Sequence, residues 1–182
     1  MHSRSLFSVA LWGLAAFAAA PAAAEGVILE AAVGSSKLTS DDSTLEDRAT
    51  AIGIVGRWGG GKGLGMEAGV RGHGEWAVND AAGTYRFAGT SLLAGVTYDI
   101  PMGPVTLGAR VGGHAWRVNG QVIGVGSTVL TKTEDSGAGL YYSLGASYAV
   151  SERMSIGTYY NVFNLEDGIR VKSVDVRLSY AF

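Results

Sequence analysis

Apolar and polar residues alternate along most of this chain, most clearly over its last nine residues, 174–182. The even positions there carry Val, Val, Leu, Tyr and Phe, whereas the odd positions carry Asp, Arg, Ser and Ala. Successive side chains of a β-strand point to opposite faces, so this segment predicts a strand with one apolar and one polar face.

The same alternation predicts eight strands, at 26–37, 49–58, 64–76, 84–98, 104–117, 133–150, 154–164 and 170–182. Three connections are short (59–63, 99–103 and 151–153), and four are mostly longer and polar (38–48, 77–83, 118–132 and 165–169). A transmembrane barrel has short periplasmic turns and longer outer loops, whereas a β-sandwich has no reason to sort its connections this way. The pattern therefore favours an all-β fold, a transmembrane antiparallel up-and-down eight-stranded β-barrel.

Charged residues of both signs share one face of the predicted strands. Such charges can pair inside a narrow barrel while the apolar face contacts lipid. We therefore predict a polar network in the lumen formed by Glu30, Arg57, Glu67, Arg71, His73, Glu75, Arg110, His114, Asp175 and Arg177. Many of the 28 glycines fall on this face and leave room for the long side chains. Aromatic residues near the strand ends, including Trp58 and Trp76, are candidates for the interfacial girdles.

The N-terminal 24 residues are typical of a secretory signal peptide. A weakly basic start is followed by an apolar stretch at 6–20 and by three alanines before Glu25. We therefore predict a cleaved signal peptide at 1–24 and an outer-membrane barrel at 25–182. No later apolar run reaches the ~18–20 residues of a spanning helix, so the exported chain is soluble or a barrel.

Composition argues against several classes of function. The net charge is −2 and no basic run is present, so no nucleic-acid partner is expected. The chain has no cysteine, which excludes disulfides and thiol catalysis. We predict no cofactor. The segment 56–63 nearly matches a phosphate-binding loop, but it lacks the final Ser or Thr and the strand–loop–helix context, so a turn is the better interpretation.

Several segments together resemble the OmpA-like and OmpX-like eight-stranded outer-membrane barrels that lack a periplasmic domain. The segments are 65–69, 93–99, 136–145, 154–161 and 178–182, and the resemblance covers nearly all of the mature chain. It implies the outer membrane of a Gram-negative bacterium. One departure is Tyr159, where relatives often carry an inward acidic residue. Family members serve as membrane-stability proteins, adhesins or weak pores, so the resemblance alone does not fix function.

The C-terminus looks like the signal by which the barrel-assembly machinery recognises its clients. That resemblance makes the machinery an expected partner during biogenesis. The alternate positions that would carry the signal are Val174, Val176, Leu178, Tyr180 and Phe182.

The strongest candidate for a chemical site is the set His73, Glu75 and His114. His73 and Glu75 lie on one predicted strand and His114 on another, with a single strand between the two. All three are predicted to face inward at similar heights, so a zinc-like or acid–base site is conceivable. The alternative is an interior hydrogen-bond and ion-pair network, which is the rule in these barrels. A lipid A deacylase would show a His-x-Ser pair, which neither histidine has.

We therefore predict a non-enzymatic monomer with no catalytic or metal-binding residues. Its expected partners are outer-membrane lipids and lipopolysaccharide, and a host or surface ligand bound by the outer loops. The loop 118–132 alternates on both sides of its glycines and predicts a β-hairpin that projects beyond the membrane. The two other hypotheses are a narrow pore and a lipid A-modifying enzyme.

Overall fold

A computed structural model describes residues 26–40, 44–59, 62–80, 83–123, 129–166 and 168–182. The eight strands are β1 (Val27–Ser40), β2 (Thr44–Trp58), β3 (Gly63–Asp80), β4 (Gly83–Met102), β5 (Val105–Ile123), β6 (Val129–Ala149), β7 (Met154–Glu166) and β8 (Ile169–Ala181). The predicted signal peptide lies outside the described residues. Within them, no helix is long and apolar enough to cross a membrane, a finding that has no bearing on crossing by strands.

Each strand pairs antiparallel with its neighbours in chain order, and β8 returns to pair with β1. The closing register runs from Ile28 opposite Ala181 to Ser40 opposite Ile169. Because β8 pairs with β1, neither strand has an unpaired edge along this ladder. A β-structure in lipid requires such closure, since lipid offers no hydrogen bonds to free backbone groups. The predicted eight-stranded up-and-down barrel is thereby confirmed.

The strands are longer than predicted at the end opposite the short turns. Pairing of β5 with β6 continues to Ile123 opposite Val129, which confirms the predicted hairpin within 118–132. β3 likewise continues to Asp80. The sequence pattern divided β5 and β6 from the predicted hairpin at 118–132, whereas the structure shows each strand continuing without a break across that boundary. The sequence pattern therefore ended the strands too early.

The outer wall carries the apolar face of the strands. Val174, Val176 and Leu178 are each about half exposed on β8, while Asp175 and Arg177 between them are buried inside. The aromatic residues exposed on the wall at the short-turn end are Trp58, Tyr98, Tyr148, Tyr180 and Phe182. Such an apolar band with an aromatic rim is typical of membrane barrels.

A β-bulge in β3 changes which side chains face inward near the outer end. The pairing with β4 slips between Gly72 and Gly74, and Gly74 has a φ of 88°. That left-handed conformation favours glycine because it has no Cβ. A Cβ there would also lie 2.6 Å from the Cβ of Ala49, too close for any side chain.

The extra residue reverses the alternation beyond the bulge. Trp76 is fully buried inside the barrel, so its predicted place in an interfacial girdle is wrong. Glu75 is exposed on the outer wall, where it forms an ion pair of 3.3 Å with Arg86, and its predicted place in the lumen is also wrong.

Candidate functional site

The lumen is filled by an ion network of equal and opposite charge. Its four carboxylates and four guanidinium groups are all at most 6% exposed, and their formal charges sum to zero. Isolated charges are costly to bury, so this balance is what makes a charged interior tolerable. The members are Glu30, Glu67, Asp99, Asp175, Arg57, Arg71, Arg110 and Arg177.

Glu30 on β1 is the centre of the network. Its carboxylate oxygens lie 2.7 Å from Arg110, 2.9 Å from Arg57 and 3.5 Å from Arg177. Arg110 also contacts Glu67 at 2.8 Å. One carboxylate therefore links β1 to both of its sheet neighbours, β2 and β8, and across the lumen to β5.

The network extends toward the periplasmic end through Arg57, which also donates to Asp99. Asp99 was not among the predicted lumen residues, because the sequence pattern ended that strand at residue 98. β4 in fact continues to Met102. Asp99 faces inward because it alternates along this strand with Gly95 and Thr97, which also face inward. The alternation of inward and outward side chains along β4 was the sequence signal that would have identified Asp99 as an inward residue.

Arg71 and Asp175 form the upper layer of the network. The guanidinium donates to both carboxylate oxygens, at 2.6 and 2.8 Å, which is the bidentate geometry of a strong ion pair. Arg71 also donates to Ser173 at 2.9 Å. Asn161 donates to Asp175 at 2.8 Å and accepts from Arg177, so it connects the two layers.

Tyr159 lies against two arginine guanidinium groups, at the position where the family resemblance leads us to expect an inward acidic residue. Its ring centroid is 4.5 Å from the Arg110 guanidinium carbon and 4.3 Å from that of Arg177. Gly145 makes room for the ring, since a Cβ there would lie 2.6 Å from Tyr159 Cγ. The aromatic face offers these arginines a cation–π interaction in place of a carboxylate.

Two histidines meet above the ion network, as predicted, but through a serine. The Oγ atom of Ser91 lies 2.8 Å from His73 Nε2 and 3.0 Å from His114 Nδ1. His114 Nε2 lies 2.8 Å from the carbonyl oxygen of Asn164. No sequence pattern marks out Ser91, because serines are common in the chain. No group of three or more metal-ligating side chains occurs in the described residues.

An apolar cluster packs against the histidines and fills the lumen above them. The buried members are Ala49, Val55, Trp76, Leu93, Trp116, Tyr141, Phe163, Leu165 and Val171. Trp116 Nε1 donates to the carbonyl oxygen of Leu165 at 2.8 Å, across the space between β5 and β7. This apolar plug closes the lumen over the polar network.

Between the ion network and the apolar plug lies a small cavity of about 20 Å³, bordered by Glu30, Arg71, Tyr141 and Phe163. A water molecule needs ~10–15 Å³ of such volume, so the cavity has room for one or two waters. Nothing larger than water fits there.

Nine of the ten predicted lumen residues are buried inside the barrel, Glu75 being the exception. The five predicted assembly-signal positions lie on the outer wall, between 38% and 67% exposed. Their recognition by the assembly machinery stays a prediction. Further inward residues that the predicted lumen network did not name include Ser91, Asp99, Tyr141, Tyr159, Asn161 and Ser173.

A closed barrel with an apolar outer wall and a paired, charged interior defines an integral outer-membrane β-barrel protein. The family model described as "Outer membrane protein beta-barrel domain" matches residues 7–182, so the chain belongs to this family, as its resemblance predicted. The family places the protein in the bacterial outer membrane. No curated protein matches by sequence.

Solved outer-membrane barrels share the fold at low sequence identity. The Ail protein of Yersinia pestis, crystallised with the heparin analogue sucrose octasulfate, is 17% identical with a TM-score of 0.62 over 87% of this chain and 99% of its own. Neisserial surface protein A is 19% identical, with a TM-score of 0.59 over 86% and 97%. OprG from Pseudomonas aeruginosa is 11% identical, with a TM-score of 0.56 over 87% and 98%.

Proposed function

We propose that this protein is a non-enzymatic, monomeric component of the outer membrane. Its interior serves as a rigid structural core, and its outer hairpins contact partners at the cell surface. The observation that carries the proposal is a lumen filled by neutral ion pairs and covered by the apolar plug, in a barrel whose strands continue into long outer arms.

The filled lumen favours a structural role over the narrow pore. The charged side chains are paired to one another across the barrel, and Trp76, Trp116 and Phe163 lie above them. An ion would have to displace both layers to pass. The cavity between them holds no more than one or two waters.

We therefore expect no defined single-channel current when the refolded protein is reconstituted in planar bilayers. The matched variant is Arg177→Ala, which would alter conductance if a path ran through the network. Current steps of constant size in the native protein, changed in the variant, would establish the pore instead.

The histidine–serine arrangement also fits a structural role better than catalysis on lipid. Ser91 is only 4% exposed and lies beneath the apolar plug, facing away from the membrane. An acyl chain in the outer leaflet contacts the outer wall, on the opposite side of the strand. The carboxylate predicted to join this site, Glu75, is outside the barrel.

The surface role is supported by a four-stranded sheet that rises above the apolar wall. It consists of the outer parts of β3, β4, β5 and β6, and within the described residues β6 pairs with β7 only from Tyr141 onward. Every residue from 131 to 138 is exposed. Backbone groups along such an edge can accept an extended segment of another protein as an added strand.

The name of the Yersinia pestis neighbour, attachment invasion locus protein, describes a surface role of that protein. We propose a role of the same kind here, with outer-membrane lipids and lipopolysaccharide around the wall. The signal peptide and the C-terminal signal for the barrel-assembly machinery belong to the same proposal.

Trimming the β5–β6 hairpin tests the surface role. Replacing residues 120–133 by Asn-Gly joins Asn119 to Glu134, which are opposite one another in the register. We expect the trimmed barrel to assemble normally, as judged by its shift on a gel after boiling. Adhesion of bacteria displaying it to epithelial monolayers should fall at least about tenfold, because the exposed strand edge that can pair with a partner is lost. Unchanged adhesion at equal surface amounts would contradict the proposed role of this hairpin.

A further inference from the structure

The outer part of β6 forms an exposed edge of the four-stranded outer sheet. It pairs with β5 up to Val129, whereas within the described residues it pairs with β7 only from Tyr141 onward. All residues from 131 to 138 are exposed. We call residues 131–135, which read Thr-Lys-Thr-Glu-Asp, the edge segment. Its backbone groups on the side away from β5 are placed to pair with another strand.

The edge segment is complementary to itself when two copies pair antiparallel. With Thr133 opposite Thr133 of a second copy, two-fold symmetry places each Lys132 opposite the other copy's Glu134. Thr131 then lies opposite Asp135, and a hydroxyl can donate to a carboxylate. Opposite charges and pairs of threonines stabilise directly opposed positions of a sheet. Every opposed pair within the segment is therefore favourable.

Other alignments of two edge segments bring like charges together. A parallel pairing in register places Lys132 opposite Lys132 and Glu134 opposite Glu134. An antiparallel pairing centred on either residue places that charge opposite itself, and one centred between Glu134 and Asp135 opposes two acids. Like charges directly opposite one another destabilise a sheet. The segment therefore favours the antiparallel register centred on Thr133.

Antiparallel pairing requires the two copies to lie in facing membranes. In every copy β6 runs from the outer hairpin toward a periplasmic turn. Barrel strands are tilted by ~35–45°, so the β6 strands of two copies in one membrane differ in direction by at most about 90°. In two membranes that face each other, the outward direction of one copy is the inward direction of the other, so the two β6 strands run in opposite directions.

The edge segment also lies well beyond the apolar wall. Leu140 is the outermost large apolar side chain described as exposed on β6. Asp135, at the lower end of the edge segment, is five residues further along the strand, which corresponds to about 17 Å of extended chain. The segment is therefore accessible to a strand that approaches from outside the cell.

We propose that the edge segment joins two copies of this protein on facing cells, as a homotypic contact between bacteria. The inference rests on the proposed surface role of the outer arms and names their partner as a second copy of this chain. A single contact of this length is weak. Many copies on each surface act together, so the contact between two cells is much stronger than the contact between two barrels.

The test reverses one charge at a time in a strain that has truncated lipopolysaccharide and displays the full chain. Lys132→Glu opposes acids at two positions of the homotypic pair, and Glu134→Lys opposes bases at both. Cells displaying either variant alone should form at least about tenfold fewer aggregates than cells displaying the native protein. An equal mixture of the two variants, labelled in two colours, should aggregate as the native cells do, because the acids of one variant then oppose the bases of the other.

The matched control is Arg86→Glu, the same change of charge on the same face of the outer sheet. Register aligns Arg86 with Gln121 and Gln121 with Lys132, but β4 is paired on both sides and has no free edge there. Cells displaying this variant should aggregate as the native cells do. Glu134→Lys also breaks an exposed pair with Arg117, which contributes little to stability. The shift on a gel after boiling shows that each variant is folded and equally abundant.

Two results would overturn the proposal. A mixture of the two variants that aggregates no better than either alone would show that the two charges do not face one another. Equal recruitment of cells that lack the protein would show that its partner is not a second copy.

The hairpin-trimmed barrel separates this inference from the proposed host contact, because it lacks Lys132 and Thr133. Self-aggregation that persists in the trimmed barrel while epithelial adhesion is lost would contradict the homotypic contact alone. Loss of self-aggregation with unchanged epithelial adhesion would contradict the host contact and support the homotypic one.

Discussion

Replacing Glu30 by glutamine should lower the free energy of unfolding by about 3–5 kcal/mol, the usual cost of breaking a buried ion pair from one side. Glu30 is 2% exposed and its carboxylate contacts three arginines. Glutamine keeps the shape but removes the charge, which leaves four guanidinium groups facing three carboxylates in the lumen. The measurement is urea unfolding of the refolded barrel in lipid vesicles, followed by tryptophan fluorescence.

The matched control is Glu75→Gln, the same chemical change at a residue that the sequence pattern also placed in the lumen. Glu75 lies outside, paired with Arg86, and both side chains are more than half exposed. Exposed ion pairs contribute little to stability, so Glu75→Gln should change the free energy of unfolding by no more than about 0.5 kcal/mol. Equal effects of the two substitutions would mean that the lumen network does not carry the stability assigned to it.

Adding one methyl group at Gly112 should destabilise the barrel by about 1–3 kcal/mol, because the lumen has no room for it. A Cβ at Gly112 would lie 2.6 Å from the Cα of Gly95 and 2.7 Å from Cε1 of Tyr141. The first of these atoms is backbone on the neighbouring strand and cannot rotate away. The Tyr141 ring is held by its hydroxyl, which donates to Glu67 at 2.6 Å.

The adjacent Gly113 is the control for Gly112→Ala, since it belongs to the same strand but faces the lipid. The nearest atom to a Cβ at Gly113 is the carbonyl oxygen of Gly139, at 3.9 Å. Gly113→Ala should therefore be neutral or raise stability by up to about 1 kcal/mol, because alanine restricts the unfolded chain. The same urea titration measures both variants. A destabilised Gly113→Ala barrel, or an unchanged Gly112→Ala barrel, would contradict the assignment of the two faces.

The bulge in β3 shows where the sequence pattern reached its limit. A two-residue period places Glu75 on the inner face together with His73. This prediction holds only where no bulge interrupts the register of the strand. The slip between Gly72 and Gly74 places Trp76 inside instead. Glycine permits such a slip, but with 28 glycines in the chain none is marked out by sequence as the residue that takes the left-handed conformation.

The polar network shows a second limit of the same kind. Arg177 lies near Glu30 although 147 positions separate them in sequence. Their approach depends on strand tilt and stagger around the whole barrel, which no local pattern contains. The sequence pattern showed that charges of both signs face inward, but only the closed structure shows which acidic and basic residues pair with one another.

The sequence by itself determined the number of strands, their order, and the face of most side chains, because a period of two is set by the extended backbone alone. The tertiary structure alone decided two things: the bulge that moves Glu75 outward and the partners of each buried charge. Both depend on register between strands. Register is fixed by how neighbouring strands fit together, and the pattern within one strand does not specify it.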